Sequence, residues 1–234
     1  MLDLRTGRCI GSEALIRWQH SNQGLLLPSL FIPVAEKTGL IAEIGEWVIE
    51  KVIEEQSQLL KVYPDLYTAI NLSPAQLNSG ASNQTILRFL EKDCKIANNL
   101  VFEITEAILI EDDKTPALDT VARLRSLGAR ISLDDFGTGH SGISYLHKLG
   151  FDYLKIDRVY TSASDASSSI ASILEGIIDF GRRLQVELIA EGIETEAQQQ
   201  FLLNRDIRYG QGRLLAYPMP IREFEYFLAG NLKN

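Results

Sequence analysis

Seven short apolar runs rich in β-branched residues alternate with longer segments of helical period, and this alternation constrains the fold more than any other feature. The runs are Cys9 to Ile16, Leu66 to Asn71, Leu100 to Thr105, Ala129 to Asp134, Tyr153 to Ile156, Val186 to Ala190 and Ile207 to Tyr209. Between them, Ile41 to Leu60, Pro116 to Leu127, Ile170 to Leu184 and Thr195 to Asn204 repeat apolar residues at three- and four-residue steps, as in Ile173, Ile177, Phe180 and Leu184. Strands alternating with helices predict a parallel sheet covered by helices. Seven such strands in 234 residues predict an α/β barrel or a doubly wound open sheet. No composition break marks a boundary and no repeat stands out, so residues 1–234 read as a single domain. The polar run Thr161 to Ser169 reads as a loop that caps the helix after it.

Carboxylates and amides fall where such strands should be apolar. Glu13 interrupts the first run and Asn71 follows Ala69-Ile70. Glu103 lies within Val101 to Thr105, Asp134 and Asp135 end Ile131-Ser132-Leu133, Lys155 sits between Leu154 and Ile156, and Glu191 follows Leu188 to Ala190. One buried, unpaired carboxylate costs several kcal/mol and a group of them repels, so such a set needs cations to hold it together. In a barrel the C-terminal strand ends converge on one face, where active sites form. All the candidate ligands are oxygen donors, which favours Mg²⁺ or Mn²⁺ over zinc. His20, His140 and His147 show no metal-ligand spacing and read as surface or packing residues. Adjacent Asp134 and Asp135 suit the bridging of two metals about 3.5–4 Å apart, the spacing of in-line phosphoryl displacement. Lys155 can hold the attacking water or stabilise charge in the transition state. The residues alone argue for metal-assisted phosphoester hydrolysis.

A net charge of −8 offers no basic surface for the backbone of DNA or RNA. Metal cations can still supply local positive charge for an anionic ligand. Two cysteines, Cys9 and Cys94, are too few for a disulfide framework and read as free thiols in a reducing compartment. No apolar run spans a bilayer and no signal-peptide pattern opens the chain, so a cytoplasmic domain is expected, with room for a membrane-anchored sensor in a longer native protein.

These positions also carry a family signature. Gly11-Ser12-Glu13-Ala14-Leu15-Ile16-Arg17-Trp18 resembles the opening motif of EAL-domain cyclic di-GMP phosphodiesterases, and the likeness continues through FIPVAEKTGLI, NLSPAQL, FEITEA, DDFGTGHSG, LKIDR, IAEGIET and QGRLLAYPMP. The resemblance covers essentially the whole chain in the family's order. It implies a modified TIM (β/α)₈-type barrel, two divalent metals (Mg²⁺ or Mn²⁺) per active site, and hydrolysis of cyclic di-GMP to linear pGpG. By matched position, Glu13, Asn71, Glu103 and Asp134 resemble ligands of the first metal. Asp134 also resembles the bridge to a second metal, which the resemblance implies is held by Asp135 and Glu191; whether Glu191 is chiefly a ligand or a general base stays open. Lys155 resembles the lysine that positions the hydrolytic water, and Gln211 the glutamine near the metal-bound water network. Leu15 and Arg17 are expected to contact substrate, Arg17 through a phosphate. Phe136, Gly137, Thr138 and Gly139 resemble the loop that links the metal site to a dimer interface, and Glu106 the glutamate that anchors it. A homodimer is therefore expected, with a sensory or cyclase domain elsewhere in a longer native chain.

Ser12, Ala107 and His140 depart from the family's usual residues, but none removes a ligand. The larger departure is at the start: the segment Leu2 to Gly7 resembles a hairpin that family members place after their first strand. Most of that strand is expected to be missing, which leaves a neighbouring strand edge uncovered. The alternative reading is a catalytically inactive cyclic di-GMP receptor or dimerising regulatory module.

Overall fold

A computed structural model describes residues 1–78, 80–92, 94–105, 116–136, 149–162 and 169–231. Among them the chain forms two compact units. One comprises Met1–Ser12, residues 103–105 and the described residues from Ile131 onward; the other comprises Glu13–Phe102 and residues 116–130. The architecture is mixed α/β, as the alternation predicted, and no described helix is long and apolar enough to cross a membrane.

In the first unit, β1 (Leu2–Asp3), β7 (Arg130–Asp134, from Ile131), β8 (Tyr153–Ile156), β9 (Glu187–Ala190) and β10 (Tyr209–Gly210) form a sheet in the order β1-β10-β9-β8-β7. β7 to β10 run parallel. Leu133 lies opposite Leu154, Lys155 opposite Ile189, and Ala190 opposite both Ile156 and Gly210. This register brings Asp134 level with Lys155, and Glu191 level with Gln211, one residue past the strand ends. β8 is buried throughout and β9 over its last two residues, as expected of parallel strands covered on both faces. α8 (Ser169–Leu184) follows the sequence prediction within one residue and buries Ala171, Leu174, Ile177, Ile178 and Gly181 as one stripe.

β1 was not foreseen. The edge of β10 is not open: Leu2 and Asp3 pair with it antiparallel, opposite Gly210 and Tyr209. Two residues carry no readable alternation, so this strand is defined by its partners. The Met1 ammonium donates to the Gly11 carbonyl at 2.6 Å, and Leu4 N–H to Arg208 O at 2.7 Å. Asp3 is buried, with its carboxylate accepting from Arg5 N–H, Thr6 N–H and Arg208 Nε. Burial pushes its pKa up, but the Arg208 hydrogen bond, the two backbone donors and the Arg208 charge together hold it below the usual 3.8. The unfolded chain therefore takes up this proton first as pH falls. The stability Asp3 contributes is complete above about pH 4 and is lost as pH drops through the folded-state value. Asp3→Asn should accordingly lower Tm at neutral pH and flatten the fall in Tm below about pH 4, read by calorimetry from pH 7 to 3.

The second unit holds β5 (Tyr67–Asn71), the last two residues of β2 (Gly11–Ala14), the first three of β6 (Leu100–Thr105), and a hairpin of β3 (Trp18–His20) with β4 (Gly24–Leu26). His20 caps the hairpin turn, its Nδ1 accepting from Asn22 and Gln23 N–H, in keeping with a structural role. α1 (Pro28–Thr38) begins with proline at its first turn and stops at Gly39, whose positive φ suits the left-handed cap. α2 (Ile41–Leu59) buries Ile41, Gly45, Ile49, Val52, Gln56 and Leu59 along one face. α3 (Pro74–Leu77) starts on a capping box between Ser73 and Gln76, so the NLSPAQ stretch ends β5 at Asn71 and turns directly into a helix. α4 (Gly80–Lys92), α5 (Cys94–Ala97) and α6 (Pro116–Ser126) complete this unit; α7 (Arg158–Thr161), α9 (Glu196–Leu203) and α10 (Ile221–Asn231) belong to the first.

Candidate metal centre

Three carboxylates converge on one ammonium in the first unit. Lys155 Nζ lies 2.9 Å from Glu103 Oε2, 3.2 Å from Asp134 Oδ2 and 2.8 Å from Glu191 Oε1. Lys155 and Glu103 are each only 1% exposed, so these contacts are made out of water. The cause is visible in the strands: Lys155 and Asp134 stand level on adjacent parallel strands and share a face.

Asp135 joins the cluster by a backbone device. Successive residues of a strand point to opposite faces, so Asp134 and Asp135 in extended backbone would diverge. Asp135 instead has φ 55°, in the left-handed region that aspartate and asparagine tolerate better than most residues. Its carboxylate consequently lies with those of Asp134 and Glu191, one oxygen of each falling within 4.8 Å of the others. The Asp134 carboxylate accepts the Asp135 N–H at 2.9 Å, which stabilises the turn.

Glu191 is held by its neighbours. Its Oε1 accepts from Gln211 Nε2 at 2.8 Å as well as from Lys155. Its N–H donates to Ile156 O at 3.0 Å and its carbonyl accepts from Thr161 Oγ1. The chain on either side of it is stitched to the Gln211 segment by Ile193 N–H to Gln211 O, Gln211 N–H to Ala190 O and Leu214 N–H to Ile193 O. Gly212 makes this close approach feasible: a Cβ there would stand 2.2 Å from the Ile193 nitrogen and oxygen. Gly212→Ala should therefore destabilise the chain by about 1–3 kcal/mol, read as a lowered Tm.

The donor set fits a hard divalent cation. Three carboxylates, those of Glu103, Asp134 and Glu191, contact the Lys155 ammonium, and that of Asp135 lies beside Asp134 and Glu191. The excess of negative charge beside buried Glu103 is unfavourable unless cations are recruited, and oxygen-only donors select Mg²⁺-like ions.

In the second unit, Asn71 Nδ2 donates to Glu13 Oε1 at 2.9 Å. The amide thus orients the carboxylate through its nitrogen, and its oxygen is the atom of the type a hard cation takes. Leu15, Ile16, Ile32, Pro33, Ile44 and Asn71 are among the walls of a mostly apolar pocket of about 410 Å³ in the same unit. Arg17 is half-buried and donates to the Ile16 carbonyl; among the described residues it makes no ion pair. Phe136 is buried and stacks on Phe180 of α8 with ring centroids 5.3 Å apart. Glu106, Gly137, Thr138 and Gly139, with Ala107, His140 and His147, lie outside the described residues.

Sequence reading missed Thr161. It was placed in a polar loop, but it closes α7 and is fully buried. The signal was Asp157, which follows β8 directly and caps α7 by accepting Val159 N–H at 2.8 Å.

The chain is similar to known proteins over nearly its whole length. The family model described as "EAL domain" matches residues 1–218. The bifunctional diguanylate cyclase/cyclic di-GMP phosphodiesterase MucR of Pseudomonas aeruginosa is 38% identical over 93% of this chain and 32% of its own length. The probable cyclic di-GMP phosphodiesterase PdeD of Escherichia coli is 34% identical over 99% of this chain and 42% of its own length. The chain thus spans well under half the length of these curated relatives. Among solved structures, a complex of the MucR phosphodiesterase with c-di-GMP superposes with a TM-score of 0.88 at 38% identity, over 95% of this chain and 90% of that one. The EAL enzyme Bd1971, bound to cAMP and cyclic di-GMP, gives 0.89 at 30% identity, over 97% of this chain and 62% of that one. The fold is therefore that of these TIM-barrel-like structures, as the motifs predicted.

Proposed function

The chain belongs to the EAL domain family, and from that membership we propose that it is a divalent-metal-dependent phosphodiesterase hydrolysing cyclic di-GMP to pGpG. The observation that carries the proposal is the convergence of Glu103, Asp134 and Glu191 on buried Lys155, with the Asp135 carboxylate beside those of Asp134 and Glu191. An inactive receptor would be expected to lack some of these residues, and all are present. One EAL-type domain is proposed to take in both units, since the family model runs through both.

Two cations, Mg²⁺ or Mn²⁺, would be held by Glu13, Asn71, Glu103 and Asp134 on one side and by Asp134, Asp135 and Glu191 on the other. Bound there, they supply Lewis acidity toward phosphate oxygens and an activated water. Lys155 orients that water and offsets charge as the phosphorus gains its fifth oxygen. Gln211 fixes the Glu191 carboxylate through the 2.8 Å hydrogen bond. The doubly donated Oε1 supports a ligand role for Glu191 over that of a freely moving base. Leu15, on the wall of the apolar pocket, suits contact with a base, and Arg17 suits contact with a phosphate. The segment Phe136 to Gly139, with Glu106, is proposed to couple this site to a homodimer contact, and a sensory or cyclase domain is proposed in a longer native chain.

The test is turnover by the purified chain with Mg²⁺ or Mn²⁺, followed by chromatography. Accumulating pGpG that stops on chelation is expected. Tight binding of cyclic di-GMP with no product would replace the enzyme by a receptor.

A further inference from the structure

The main chain of Glu191 is held from two sides, and one of the holding groups is the side chain of Thr161. Thr161 is fully buried at the end of α7, thirty residues from Glu191 in sequence. Its hydroxyl has one proton and two carbonyls within reach: Arg158 O, in its own helix at 3.2 Å, and Glu191 O, which is closer. The shorter contact takes the proton. α7 touches the same peptide a second time. Gly192 has φ +64°, and a Cβ there would lie 2.4 Å from Arg158 Cβ, so helix and loop are in contact on both sides of the Glu191–Gly192 peptide. On the other flank, Glu191 N–H donates to Ile156 O at 3.0 Å.

We propose that Thr161 is a positioning residue for the metal centre: its hydroxyl fixes the plane of the Glu191–Gly192 peptide and so aims the Glu191 carboxylate. This rests on the functional reading above. With the N–H held by β8 and the C=O by Thr161, the backbone of Glu191 is immobilised, and the carboxylate's place beside Asp134 and Asp135 depends on side-chain torsions alone. Without the hydroxyl, the buried carbonyl loses its donor and the peptide gains reason to rotate toward another one. Rotation would carry the carboxylate away from the cluster. Groups that orient ligands in this way typically carry about 10- to 100-fold in metal affinity or activity.

Thr161→Val keeps the shape and removes the donor; Thr161→Ser keeps the donor and removes a methyl group. Mn²⁺ affinity by titration calorimetry, kcat and KM for cyclic di-GMP, and Tm in EDTA are measured on both. Thr161→Val is expected to bind Mn²⁺ about tenfold more weakly and to lose about tenfold in kcat with KM little changed, and Thr161→Ser to restore both. Unchanged Mn²⁺ affinity and kcat in Thr161→Val overturns the proposal, whatever happens to Tm. So does a Thr161→Ser protein no better than the valine variant, which would indicate a packing role. If the wild-type chain makes no pGpG, the functional reading fails by itself and the Mn²⁺ comparison still decides the role of Thr161. A wild-type chain that binds no Mn²⁺ overturns both.

Discussion

Replacing Asp134 and Asp135 together with asparagine is expected to lower the proposed metal-dependent turnover of cyclic di-GMP by at least about 10³-fold, the scale of losing preorganised charge stabilisation. The two carboxylates form most of the group that lies within 4.8 Å together with Glu191. Asparagine keeps the shape and hydrogen-bonding reach of both side chains. It also tolerates the left-handed backbone that Asp135 adopts at φ 55°. The fold should therefore survive. Removing two of the charges that crowd Lys155 and Glu191 should leave Tm in EDTA equal to or above that of the wild type, while Mn²⁺ ceases to raise it. Turnover close to wild type in the double variant would sink the two-metal assignment.

Lys155→Met has the largest expected effect on stability. The ammonium is 1% exposed and touches three carboxylates within 3.2 Å. Removing it leaves Glu103, Asp134 and Glu191 facing one another with no cation between them. Breaking a buried pair in this way costs about 3–5 kcal/mol, or about 10 °C in Tm for a chain of this size. The loss should be largest in EDTA and partly recovered by Mn²⁺, because a cation bound by the same oxygens replaces the missing charge. Activity should not recover, since the group proposed to orient the water is absent. A Lys155→Met protein whose Tm loss is identical with and without Mn²⁺ would argue that these acids hold no metal.

The parallel strands and four of the longer helices were legible in the sequence because their apolar periods run over enough residues to be counted. β8 was read at its observed bounds, Tyr153–Ile156, and α2, α6, α8 and α9 within about a residue. The β3–β4 hairpin was not legible: each strand has three residues, and Trp18, Gln19 and Leu25 are all exposed, so no alternation marks a buried face. α1 does not stand out in the sequence as a helix, and Pro33 lies inside it.

The acids of the candidate site were legible for the opposite reason, as violations: a carboxylate or lysine inside an apolar run is costly and calls for a partner. What could not be read was how they meet. Alternation along a strand separates Asp134 from Asp135, and only the positive φ reunites them. The Gln211–Glu191 hydrogen bond depends on the β9–β10 register, and the Thr161 contact on the placement of α7. Composition pointed the wrong way for Thr161, since a run of serine, alanine and threonine reads as loop until its first residue is seen closing a helix.

The most direct test of the central claim is hydrolysis of cyclic di-GMP by this chain in H₂¹⁸O with Mn²⁺, the product analysed by mass spectrometry. Water attack on phosphorus predicts pGpG carrying a single ¹⁸O on its terminal phosphate, formed with Mn²⁺ and absent when EDTA is present. No product despite bound cyclic di-GMP, or product formed equally well in EDTA, would contradict it.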